Sequence, residues 1–276
     1  MMAGWHSELT SESKRIRIRN ESGAMAETAH PVQLRLQTLE SFSAYIRDAE
    51  AEMDKTTGVS SPFLWSDRSP ERTELVRAGH VLAQFWSGRG PVRVPNGLIH
   101  DWIGTALIPG TTIEDTLALA QDYDNHKNVY QPQVIDSRLI SRRSNDFRIY
   151  LRLLKKKILT VVLDTYHDVH YRSLSGKRRL CRSYATRIAE VEHPGAPDER
   201  VLEPDNGYGF LWRLYSYWRF QEKKNDVYIE CRAISLSRDI PFGLAWLIEP
   251  IVQQLPQESL IHSLEATRQA LRTPAT

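Results

Sequence analysis

HDWIGTALIPGTTIEDTLALAQDYDNHKNVYQPQV, residues 100–134, runs from a strand through a helix to the start of a second strand. The apolar and β-branched residues from Leu98 to Ile108 have the composition of a strand, and Pro109-Gly110 stops it. Thr111 or Thr112 then caps a helix from Ile113 to about Asp122. Glu114 and Asp115 fall in its first turn, where the helix dipole favours negative charge. Tyr123 to Pro132 is a polar and aromatic connection with room for a second short helix, and a new strand begins at Val134.

Toward the C-terminus the period stays at two. Strands are expected over 134–142, 147–154, 161–171, 180–191, 211–221 and 227–237, separated by turn chemistry such as Ser144-Asn145-Asp146, Lys155-Lys156-Lys157, Ser175-Gly176-Lys177 and Lys224-Asn225-Asp226. A long Pro/Gly loop fills 194–209. The last segment, about 241–271, returns to helical spacing through Leu244, Leu247, Ile251, Leu260 and Leu264, with bends expected at Pro250 and Pro256. Toward the N-terminus, Leu39, Phe42, Ile46, Ala49 and Met53 form one face of a helix ending near Gly58. Ser69-Pro70-Glu71 opens another short helix. Gly88, Gly90, Pro91, Pro95 and Gly97 read as a linker, and residues 1–30 lack periodicity and read as a flexible leader. An antiparallel sheet of this size must cover one face, and the long terminal helix is the element able to do so.

This order, with YWRFQEKKNDVYIECRAISLSRDIPFGLAWLIEP (217–250) supplying the last hairpin and the start of the long helix, resembles the START-like, or SRPBCC, superfamily and in particular a bacterial group within it. The resemblance covers 96–271. It implies an α+β helix-grip fold, a curved antiparallel sheet of about seven strands wrapped on a long C-terminal helix. The expected divisions are a leader over 1–30, a small helical N-terminal extension over 31–95, and a START-like domain over 96–272. The superfamily includes carriers, hormone receptors, cyclases and ring-hydroxylase subunits, so it implies an apolar ligand in an internal cavity rather than one reaction. The cysteine and histidine iron ligands of a ring-hydroxylating subunit are missing.

Strand alternation selects the candidate lining. Trp212, Leu214, Ser216, Trp218 and Phe220 share one face, with Arg213, Tyr215, Tyr217 and Arg219 on the other. Val227, Ile229, Cys231 and Ala233 oppose Tyr228, Glu230 and Arg232. With Ile149 and Leu151 from an earlier strand, and with Trp102 and Trp246, the apolar sets are expected to face the helix and bind ligand. Tyr123 and His126 lie where START-like folds have one rim of the cavity, placed to orient a polar head.

His100-Asp101 project to opposite faces of a strand and make a poor acid–base couple. His167 and His170, three apart, cannot close on one metal. Cys181 and Cys231 lie in strands without ligand spacing and read as two buried thiols. No metal, cofactor or catalytic motif is expected, nor a nucleic-acid partner at a net charge of +2. The alternating hairpins gather Arg142, Arg143, Lys177, Arg178, Arg179, Lys223 and Lys224 at one end of the sheet, a rim able to meet an anionic membrane surface. Neither a secretory signal nor a spanning segment is visible, which makes the cytoplasm the expected location.

The leading functional expectation is binding or transfer of a lipid or other apolar small molecule. One alternative is a polyketide-cyclase-like enzyme using Tyr123, His126 or His167 as proton donor. Another is an interaction module whose N-terminal helices bind a partner.

Overall fold

The structure, a computed structural model, describes residues 31–58, 61–156, 160–239 and 245–272, with side chains throughout these except at 245–254. The expected leader lies outside the described residues.

In chain order the strands are β1 (Val32–Gln33), β2 (Leu82–Phe85), β3 (Val92–Val94), β4 (Gly97–Pro109), β5 (Val134–Arg143), β6 (Asp146–Lys156), β7 (Thr160–Ser175), β8 (Arg178–Glu192), β9 (Arg200–Val201), β10 (Asn206–Gly207), β11 (Arg213–Lys223) and β12 (Asp226–Arg238). The helices are α1 (Leu36–Asp54), α2 (Pro70–Arg77), α3 (Ile113–Gln121), α4 (His126–Val129) and α5 (Ala245–Arg272). One antiparallel sheet runs β2-β4-β12-β11-β8-β7-β6-β5, and β4 and β12 pair along their whole length. With α5 laid across it, this is the α+β helix-grip arrangement, and each of the seven expected strands is present.

Local chemistry sets the element ends as read. The Thr112 hydroxyl accepts from the Asp115 amide at the start of α3, and the Ser69 hydroxyl accepts from Arg72 at the start of α2, where Pro70 takes the first turn. The segment read as a linker differs. Residues 82–85 and 92–94 are strands that pair with β4, joined by a turn in which Gly88 and Gly90 adopt φ of 71° and 102°. Strands of four and three residues are too short to print a period of two, so only their glycine turn was legible.

The sheet is buried on both faces over β4, β12 and β11, whereas one face of β6 and β7 carries the exposed Arg148 and Arg172 and the half-buried Asp168. The face toward α5, called here the grip face, packs Trp102, Ala106, Phe147, Ile149, Val169, Cys181, Phe220, Ile229 and Cys231 around Leu260 and Leu264. Gly104 permits the close approach of α5: a Cβ there would stand 2.9 Å from both leucines. Against the opposite, outer face lies α1, whose Phe42, Ile46, Ala49 and Met53 pack with Ile99, Tyr217, Ile234 and Leu236. The apolar stripe of α1 is therefore spent on the chain's own sheet, which corrects the expectation that it could serve a partner.

Candidate functional site

On the grip face two apolar clusters flank a less crowded strip. One is the cluster around Leu260 and Leu264. The other holds Val134, Leu153, Leu163, Ala185 and Ile188, with Leu151, Leu211 and Leu214 packed against it. Between them Leu214, Ser216, Trp218, Ala233 and Leu151 are only half-buried, whereas Phe220, Ile229 and Cys231 alongside are fully buried. Register places Ser216 beside both Ser183 and Ala233, so the strip crosses adjacent strands. It thus marks accessible surface inside a face that is otherwise closed.

The polar groups at its floor are uncharged. His167 is buried, with Nε2 3.0 Å from the Thr165 hydroxyl and Nδ1 3.3 Å from the Ser183 hydroxyl. Burial lowers its pKa to about 4, so the imidazole is neutral at pH 7 and pairs as one donor and one acceptor. His170, as spacing required, points away from it, exposed and 2.6 Å from Asp146. Among the described residues no group of three His, Cys, Asp or Glu is placed to hold a metal.

The structure places the candidate residues unequally. Ile149, Phe220 and Ile229 lie in the grip-face core, and Leu151 and Trp218 border the half-buried strip. Trp102 also faces the grip side, where its ring lies 3.9 Å from that of Phe85 on β2. Tyr123 is buried under α3, its hydroxyl 3.0 Å from that of Tyr171, and burial raises its pKa. His126 packs between Tyr123 and Tyr130, with ring centroids at 4.8 and 4.9 Å, and burial lowers its pKa to about 4. Neither group is ionised at neutral pH. Trp246 lies in α5, and its side chain falls outside the described residues.

Trp212 is a correction. It packs with Phe42 and Leu236 on the outer face rather than with Trp218. The reason is that β11 begins only at Arg213, after a bend in which Trp212 donates its amide to Leu236, so alternation does not extend back to it.

The basic rim is assembled at one end, where the turns β5–β6, β7–β8 and β11–β12 meet, but carboxylates occupy much of it. Lys223 binds both oxygens of Asp67 at 2.6 and 2.9 Å. Lys177 lies 3.3 Å from Glu222, and Arg179 lies 3.9 Å from Glu114. Arg142 and Arg178 cover the rings of Phe147 and Phe63. Arg143 and Lys224 make no ion pair among the described residues.

Sequence reasoning missed two features. The outer face buries charge: Arg232 holds Asp101 in a bidentate pair at 2.6 and 3.0 Å and reaches Glu52 at 3.2 Å, while its guanidinium lies 4.0 Å from the Trp86 ring. Tyr45 donates to the same Asp101 at 2.7 Å. Arg219 bonds the carbonyls of Phe63 and Met53, and Glu230 accepts from the Trp65 amide at 2.5 Å. Alternation named this face, but nothing in the strands told that the N-terminal region covers it. The second feature is Lys155. It was read as part of a turn, yet it shares strand parity with Phe147, Ile149, Leu151 and Leu153 and so belongs to the grip face.

No protein-family model matches the chain, and no curated protein matches it. Solved structures do. One is a STAR-related lipid transfer protein from Xanthomonas axonopodis, at 16% identity over 66% of this chain and 98% of that chain, with a TM-score of 0.44. Another is a START superfamily protein from Mycobacterium smegmatis, at 11% identity over 70% and 98%, with a TM-score of 0.41. A third is the Zhui aromatase/cyclase from Streptomyces sp. R1128, at 8% identity over 63% and 94%, with a TM-score of 0.42. Strand order and terminal helix are those of the α+β helix-grip arrangement described above.

Proposed function

We propose that the chain binds a lipid or other apolar small molecule between the grip face of its sheet and α5. The observation that carries this reading is the half-buried strip of Leu214, Ser216, Trp218 and Ala233. Apolar side chains facing a covering helix are ordinarily closed off from solvent, and these are not. The surrounding leucines supply burial for an apolar body, at about 25 cal/mol per Å² removed from water. Ser183, Ser216 and the neutral His167 offer hydrogen bonds without charge.

Native mass spectrometry of the purified chain, followed by organic extraction, tests this. A bound mass released by solvent, or quenching of tryptophan fluorescence by an added apolar probe that is lost in Trp218→Ala, is the expected result. A folded protein that takes up no lipid and no aromatic probe overturns the reading.

A further inference from the structure

Lys155 closes one end of the grip face, and its surroundings specify the ligand's head group. Its side chain points inward from β6, next in the alternating series after Leu153, and its Nζ donates to Gln133 Oε1 at 2.7 Å and to Ser259 Oγ at 2.5 Å. Both hydrogen-bond partners are neutral, and an ammonium has three N–H groups. Glu258, exposed on α5, is the carboxylate that acts on it electrostatically, while burial draws its pKa down to about 8. Its neighbour Lys156, of opposite parity, is exposed. An inward, half-buried lysine whose hydrogen bonds go to an amide and a hydroxyl is an uncommon end for an apolar wall.

The wall leading away from it is continuous. Leu153 pairs with Leu163, Leu151 with Thr165 and Ile149 with His167. Six residues of strand from Lys155 to Ile149 span about 20 Å at roughly 3.3 Å each. A cation stands at one end of this path and uncharged hydrogen-bonding groups at the other, with leucines between.

We propose that Lys155 is the anchor of the ligand site and that the ligand is an anionic amphiphile, a long-chain carboxylate whose head meets the ammonium and whose tail runs past Leu151 to the half-buried strip of Leu214 and Trp218. This rests on the reading of the grip face as a ligand site. The carboxylate takes the remaining N–H and supplies the opposite charge that Gln133 and Ser259 lack, a charge-assisted contact stronger than a neutral one.

Fluorescence titration of the full chain with cis-parinaric acid and with its methyl ester tests the assignment. The two probes share a tail and differ at the head, which is a carboxylate in one and a neutral methyl ester in the other. The acid is expected to bind about tenfold more tightly than the ester, the usual effect of a hydrogen bond to a charged group. Lys155→Met is expected to abolish that preference, so that acid and ester bind alike, and Lys155→Arg to keep it. In urea, Lys155→Met is expected to be at least as stable as the wild type, because an apolar side chain of similar length removes a buried charge. Equal binding of acid and ester by the wild type, or a preference that survives Lys155→Met, overturns the role of Lys155 and leaves the apolar site standing. Failure of both probes to bind the folded wild type overturns the site and this inference together.

Discussion

The two faces of the sheet are made by the same strands and buried by different means. The grip face, under α5, is apolar with neutral polar groups apart from Lys155 at one end, and part of it stays accessible at Leu214, Ser216 and Trp218. The outer face, under α1 and residues 61–77, carries Asp101, Arg219, Glu230 and Arg232, each paired or bonded to backbone. A face that encloses its charges in directional bonds fixes what lies on it, because each bond demands one geometry. A face of leucines and small residues tolerates exchange of what it holds. The difference separates a docked extension from the face on which the ligand site is proposed.

The largest expected effect comes from breaking the outer face. Asp101→Ala leaves Arg232 buried without its bidentate partner, at a cost of about 3–5 kcal/mol in urea unfolding. The double variant Asp101→Leu, Arg232→Met should recover much of that loss. A cost below about 1 kcal/mol for the single variant would mean that α1 is held by packing alone.

pH sharpens the same contrast, because the faces respond with opposite sign. Burial lowers the pKa of His100, His126 and His167, all outside the ion-paired outer face, to about 4. The unfolded chain therefore takes up these protons first, and the stability they contribute above pH 6.5 is lost as pH falls toward 4. Glu230, on the outer face, is raised by burial to about 7. Its contribution is complete below pH 4.5 and disappears as pH rises through 7. Near pH 5.5 unfolding takes up about three histidine protons and releases about one from Glu230, a slope of about 2 kcal/mol per pH unit toward instability in acid. Urea midpoints measured from pH 4.5 to 8 check this, and Glu230→Gln should steepen the slope.

Gly104→Val tests how closely α5 grips. The added side chain collides with Leu260 and Leu264, and overpacking of this kind costs about 2 kcal/mol. An unchanged thermal midpoint would show that α5 shifts freely against β4. The smallest expected effect is Ser69→Ala, which removes the cap of α2 and costs about 1 kcal/mol in the same assay. It affects the outer face only, so ligand uptake should be unaltered.

Much of this contrast was legible beforehand. Alternation in β12 separated Val227, Ile229 and Cys231 from Tyr228, Glu230 and Arg232, and the structure puts the first set against α5. The 3-4 spacing of Phe42, Ile46, Ala49 and Met53 marked the buried face of α1. Alternation failed at Trp212, where the strand had not begun, and at β2 and β3, which are too short to show a period. Lys155 was passed over because a run of three lysines reads as a turn, although its parity matched Leu153.

By itself, then, the sequence determined the seven strands, a threonine cap at 111 or 112, the helix start at Ser69-Pro70-Glu71, the covering helix and the pairing of side chains by face. These follow from local backbone sterics and from periods of two and 3.6, which neighbouring residues carry on their own. Tertiary structure alone decided that α1 covers the outer face and so turns Arg219, Glu230 and Arg232 from solvated charges into buried ones. It also decided that Lys155 meets Gln133 and Ser259, which lie 22 and 104 residues away along the chain. Burial and partner choice depend on which distant surfaces meet, and no local period encodes that.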